Sequence, residues 1–80
     1  MGRKEKTKPA ALDRVRMEIT GMREIIFEGS KGILAYSDEG IMLNTGRYIV
    51  SISGRQMRIK CMNESVLTIC GIISEIRYIV

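Results

Sequence analysis

The 80-residue sequence contains no histidine and no tryptophan, only one proline, and two cysteines, Cys61 and Cys70. Without histidine there is no Ser-His-Asp or Cys-His relay and no imidazole metal ligand. Two cysteines without a CxxC spacing are too few for a disulfide-rich scaffold, so we expect free, buried thiols in a reducing compartment and leave a contact between them open. No nucleotide-binding or catalytic motif is present, and we expect a protein that is not an enzyme and uses no cofactor or metal.

The chain also lacks a long hydrophobic run. No segment approaches the roughly 20 apolar residues that a membrane-spanning helix needs. The N-terminal region does not resemble a signal peptide, because Asp13, Arg14 and Arg16 closely follow its short apolar stretch. We therefore expect a cytoplasmic protein, peripheral to a membrane only through a partner.

Positive charge is concentrated at the N-terminus of a chain whose net charge is +4. The length allows one domain, and we predict a disordered basic tail over residues 1–9 and a single small β domain over residues 10–80. The tail serves either as a solubility arm or as an electrostatic contact with an anionic partner. Its candidate contact residues are Arg3, Lys4, Lys6 and Lys8.

Glycines recur at short intervals between segments rich in Ile, Val, Leu and Tyr. Such spacing, with β-branched residues and turn-forming sequences between the segments, is typical of an all-β domain. We predict a small antiparallel sandwich or partly open barrel of about seven to eight short strands, with a short N-terminal helical turn over residues 10–15 after Pro9. The strands are expected near 16–20, 23–28, 32–36, 40–44, 47–53, 56–62, 65–70 and 72–79.

Several of these strands carry large apolar side chains on both faces. A domain of this size cannot easily bury all of them, so an apolar edge or patch is expected to remain for a partner. The C-terminal strand is the first candidate, because no charged residue follows it; a central strand buried on both sides is the alternative. The candidate partner-binding residues are Ile72, Ile73, Ile76, Tyr78, Ile79 and Val80.

A small nucleic-acid-binding β-barrel is the second hypothesis for function. Its candidate residues are Arg55, Arg58 and Lys60, of which Arg58 and Lys60 lie on a predicted strand near Tyr48. Only four aromatic residues are available for base stacking, and most of the net charge belongs to the tail. Nucleic-acid binding is therefore the less favoured of the two hypotheses.

Five segments follow one another in an order that is characteristic of a known family. They are Arg16–Gly21, Phe27–Ser37, Ile41–Thr45, Ile52–Lys60 and Leu67–Tyr78. Together with the length and the basic N-terminus, this series resembles the YabP/YqfC family of sporulation proteins, more closely its YqfC-like branch, over about residues 12–80.

The resemblance implies a protein of endospore-forming bacteria that is made in the mother cell. It implies a non-catalytic, accessory role in the development of the spore cortex or envelope, with no catalytic residues to carry over. The partner it implies is an integral membrane protein of sporulation, YqfD-like or YabQ-like. Self-association into a homo-oligomer is left open.

Overall fold

A computed structural model describes residues 14–80, and within this range the chain forms six strands and no helix. The strands are β1 (Arg16–Thr20), β2 (Glu24–Glu28), β3 (Gly32–Ser37), β4 (Gly40–Asn44), β5 (Ile49–Asn63) and β6 (Val66–Ile79). They form one antiparallel sheet in the spatial order β1-β2-β6-β5-β4-β3, which is not closed into a barrel. The predicted all-β antiparallel fold is confirmed.

The predicted number of strands is wrong, because two pairs of predicted short strands are each one long strand. Gly54 and Gly71, expected at strand ends, lie inside β5 and β6. The β5–β6 hairpin contains β-bulges where its register shifts. At these bulges the strands bend and continue instead of ending in turns. At Gly54 the absence of a side chain allows the backbone of Ile72 to approach closely.

The N-terminal predictions lie largely outside the described residues. This applies to the basic tail over residues 1–9 and to most of the helical turn over residues 10–15. Of that turn, only Arg14 and Val15 are described, and they have no regular secondary structure.

Each long strand bends where the turn of a hairpin contacts its backbone. At the bend of β5, the Gly54 N–H donates to the carbonyl oxygen of Glu39, in the β3–β4 turn, at 3.0 Å. At the bend of β6, the Gly71 N–H donates to the carbonyl oxygen of Arg23, in the β1–β2 turn, at 3.1 Å. The two halves of the sheet are therefore built alike, each from one short hairpin and one bent long strand.

A single apolar cluster joins the two halves of the bent sheet. Side chains from β2 and the first part of β6 pack with side chains from β4 and the first part of β5, which buries both sets without a second sheet. Phe27 is the only aromatic residue of the buried cluster. The cluster consists of Ile25, Phe27, Ile41, Leu43, Val50, Ile52, Met57, Leu67, Ile69 and Ile73.

The edges of the sheet are β1 and β3, not the C-terminal strand. The predicted exposed C-terminal edge concerns residues 72–79; residues 66–70 of the same long strand lie between β2 and β5. The five-residue strand β2 covers only this part of β6. Beyond Gly71, β6 pairs with β5 alone, so one side of residues 73–79 has no strand beside it in the ladder.

The expectation that both thiols are buried is wrong for Cys61, which is exposed, whereas Cys70 is half-buried; both are free. Strict alternation would place Cys61 on the same face as the buried Met57. A β-bulge between Ile59 and Cys61 makes Lys60 an extra residue. The bulge shifts the alternation and leaves Cys61 in solvent.

The turn between β4 and β5 is held by a buried hydroxyl group. The Thr45 side chain, 4% exposed, donates to the carbonyl oxygen of Tyr48 at 2.8 Å and accepts from the N–H of Tyr48 at 3.1 Å. Thr45→Val keeps the shape but removes these bonds, so we expect it to lower the free energy of unfolding by about 1–3 kcal/mol in chemical denaturation. Thr45→Ser should retain most of the stability, and an equal loss in both variants would contradict this role of the hydroxyl.

Candidate interaction surfaces

The edge strand β3 is the most exposed apolar strand of the described chain. All six of its residues are exposed, and its sequence, GILAYS, contains no charge and no proline. Edge strands usually carry charged residues that prevent pairing with another chain. The opposite edge follows this rule, because β1 contains Arg16 and Glu18. β3 therefore offers unpaired backbone groups and no charge to repel an added strand, and Leu34 is the extra residue of a β-bulge in its pairing with β4.

The far half of β5 contacts the β3–β4 hairpin at single points and does not pair with β3. Strand β4 covers residues 49–53 of β5 only, so the rest of β5 pairs with β6 alone. Two hydrogen bonds bridge the gap: the N–H of Met57 donates to the carbonyl oxygen of Asp38 at 2.9 Å, and the N–H of Ile59 donates to the hydroxyl of Tyr36 at 3.1 Å. We call this unpaired gap between β3 and residues 57–63 the seam.

The seam opens, at the end away from these hydrogen bonds, into a largely apolar groove whose lining also includes Lys31 and Glu64. The groove has a volume of about 300 Å³ and lies between the start of β3 and the tip of the β5–β6 hairpin. Ile33 and Met62 are exposed on its walls, and the buried Leu67 forms part of its lining. An extended segment added to β3 would therefore find both free backbone groups and an apolar surface.

The predicted C-terminal surface is divided by the fold. Ile73 is 8% exposed and belongs to the core, and Ile76 is partly buried against the core. Ile72 is half-buried. Tyr78, Ile79 and Val80 are exposed, with the Tyr78 ring in edge-to-face contact with Tyr48 at 5.7 Å between ring centroids. Of the predicted surface residues, the structure therefore leaves only the last three exposed.

The basic residues of the second hypothesis lie on exposed positions of β5. Arg55 and Arg58 are opposite Ile72 and Cys70 in the β5–β6 ladder. Lys60 makes an ion pair with Glu24, with 3.8 Å between Nζ and Oε2. Of the four aromatic residues, only Tyr36 contacts the backbone of this part of β5, through its hydroxyl rather than its ring face.

Residues 14–80 contain no group of side chains that could hold a metal ion. In this range no three His, Cys, Asp or Glu side chains come together as metal ligands. The same residues form no helix that is long and apolar enough to cross a membrane.

The sequence analysis did not single out β3, although a signal was present. The predicted strand over residues 32–36 lies between two glycine-containing turns and has no charged residue and no alternation with polar ones, a property that it shares with the predicted strand over residues 40–44. The pattern fits a central buried strand equally well. Only the strand order shows that this uncharged segment is at an edge.

These features define a small β protein made of one bent, open sheet with an uncharged edge. The chain belongs to the YabP family, whose model matches residues 11–80. This membership indicates a sporulation-related protein and confirms the resemblance drawn from the sequence. No curated protein matches the chain, and no solved structure matches it.

Proposed function

We propose that this protein is a non-catalytic accessory factor of endospore formation, acting in the mother cell during development of the spore cortex or envelope. It acts as a small β module that docks on an integral membrane protein of sporulation, YqfD-like or YabQ-like. The observation that carries the proposal is the fully exposed, uncharged edge strand β3. Family membership supports the link to sporulation.

The binding mode that fits β3 is the addition of an extended segment of the partner to the sheet. Main-chain hydrogen bonds would supply affinity, and alternate side chains of the added segment would contact the apolar groove. Ile33 and Met62 lie on that groove and lose exposed area when it is filled. Burial of apolar area contributes about 25 cal/mol for each Å² removed from water.

The charges at the two ends of β3 favour one orientation of the added segment. Lys31 precedes the strand, and Asp38 and Glu39 follow it. An antiparallel segment would place its C-terminal end near Lys31 and its N-terminal end near the two carboxylates. We therefore expect an apolar partner segment with an acidic residue at its C-terminal end and a basic residue at its N-terminal end.

Two matched lysine substitutions test the docking edge. Leu34 in β3 is 53% exposed and Ile19 in β1 is 51% exposed, so each variant places a lysine on an edge strand at a similar depth. In sporulating cells, we expect Leu34→Lys to reduce cross-linked capture of the YqfD-like or YabQ-like protein by at least about tenfold, because the new pairing would bury an unpaired charge. Ile19→Lys should leave capture unchanged.

Circular dichroism of both variants must first show that the β fold is intact. Equal capture by the wild-type protein and Leu34→Lys would contradict the docking role of β3. Capture of only a second copy of this chain would instead indicate that β3 mediates self-association.

A further inference from the structure

A second surface feature, independent of β3, lies on the outer face of the bent sheet. A cleft of about 670 Å³ has its floor at Gly71 in β6 and its walls at the start of β2 and the middle of β5. The β5 backbone packs closely against Gly71, because a Cβ atom there would lie 2.8 Å from the Met57 sulfur and 2.9 Å from the Gln56 carbonyl oxygen. The cleft is lined by Thr20, Arg23, Glu24, Gln56, Met57, Arg58, Cys70, Gly71 and Ile72.

The charges of the cleft do not balance. The carboxylate of Glu24 is paired with Lys60, which lies beside the cleft. Arg23 on one wall and Arg58 on the other have no ion pair with any residue of 14–80. Arg23 and Arg58 therefore line the cleft from the two elements on either side of Gly71, without a carboxylate partner among the described residues.

We propose that this cleft binds a phosphate group. A guanidinium presents a planar set of N–H donors that matches phosphate oxygens, and two such groups on opposite walls allow contact from both sides. The hydroxyl of Thr20 and the side-chain amide of Gln56 supply further donors in the same lining. The phosphate belongs either to the headgroup of an anionic phospholipid or to a small soluble phosphorylated molecule.

Nucleic acid is a poorer ligand for this cleft. Binding of single strands relies on aromatic rings that stack on the bases. The cleft lining contains no aromatic residue, and Phe27 is buried in the core. The cleft can therefore bind a phosphate without reading the bases.

The test uses the full chain and two variants with the same loss of charge. Arg23→Gln/Arg58→Gln removes both guanidinium groups from the cleft. Arg14→Gln/Lys31→Gln removes two positive charges that line a separate pocket beside Ser65. All four positions are exposed, so both double variants are expected to fold.

The first arm titrates inorganic phosphate and glycerol phosphate into the ¹⁵N-labelled protein and follows amide shifts in NMR spectra. We expect saturable shifts at Cys70, Gly71 and Ile72 in the wild-type protein. The dissociation constant should be at least about tenfold higher than the wild-type value in the cleft variant, and within about twofold of it in the control variant. Equal weakening in both double variants, or shifts that never saturate, would overturn the proposal.

The second arm identifies the source of the phosphate. The site is assigned to a lipid headgroup if the wild-type protein co-sediments with phosphatidylglycerol vesicles and not with phosphatidylcholine vesicles. The cleft variant should then lose its binding to the phosphatidylglycerol vesicles. Saturable phosphate binding without vesicle binding assigns it to a soluble ligand. Binding of RNA without saturable phosphate binding would overturn the proposal. Leu34→Lys should bind phosphate normally, so failure of this site and failure of the β3 docking edge are distinguishable.

Discussion

Replacing Gly54 with alanine is expected to lower the free energy of unfolding by about 3 kcal/mol. A Cβ atom on Gly54 would overlap the carbonyl oxygen of Ile72 and lie 3.0 Å from the Cα of Ile73. Both neighbours are backbone atoms of the paired strand, so no side-chain rotation relieves the overlap. The stability of an 80-residue domain is only about 4–12 kcal/mol, and this loss is a large part of it.

The matched control is Gly21→Ala, measured by the same urea denaturation. Gly21 has φ +55°, and a Cβ atom there would have no neighbour within 4 Å. Gly21→Ala should lower the free energy of unfolding by only about 1–2 kcal/mol, because alanine is disfavoured in the left-handed backbone conformation. If Gly54→Ala is no more destabilising than Gly21→Ala, the close approach of β5 and β6 at the bend is not rigid and this account of the bend is wrong.

Truncation of Ile25 should have an effect of similar size for a different reason. Ile25 is fully buried between the two halves of the sheet. Ile25→Ala removes apolar contacts and leaves a cavity, so we expect a loss of about 2–5 kcal/mol in the free energy of unfolding. Such a loss would be readable as a fall in the midpoint of thermal unfolding.

The chain contains a control for this substitution in the neighbouring strand. Ile19 is directly opposite Ile25 in the β1–β2 ladder but is 51% exposed. Ile19→Ala removes the same atoms from a solvated position and should cost less than about 1 kcal/mol. Similar losses for both substitutions would show that the two halves of the sheet do not share one buried core.

The class of fold was predictable from the sequence because its signals are local. Short apolar runs separated by Gly29–Gly32, Ser37–Gly40 and Asn44–Gly46 indicate turns and strands without knowledge of their partners. Family resemblance was predictable for the same reason, since it depends on the order of these segments along the chain.

The joining of short strands into long ones was not predictable, because it depends on contacts between distant segments. Gly54 and Gly71 have the same sequence signature as Gly21, which ends a strand at a turn. Their neighbours in the structure are Glu39 and Arg23, whose carbonyl oxygens accept hydrogen bonds from the two bends. No local pattern distinguishes a glycine at a bend from a glycine at a turn.

The candidate surfaces could not be predicted from the sequence either, because they depend on which strands are neighbours in the sheet. The segment 72–79 looked like a separate edge strand, but it continues a longer strand whose residues 66–70 pair with β2, and Ile73 is in the core. The cleft at Gly71 combines Arg23 and Arg58, which are far apart in sequence. The second hypothesis grouped Arg58 with its sequence neighbours and omitted Arg23.

Hydrogen–deuterium exchange of the full chain, alone and bound to the co-expressed membrane partner, tests the docking edge most directly. Backbone amides of an edge strand exchange readily when no strand covers them and become protected when one is added. We predict new protection of residues 32–37, centred on Leu34, with β1 unchanged. Protection confined to residues 72–80, with β3 exchanging as in the protein alone, would contradict the assignment of β3 as the docking edge.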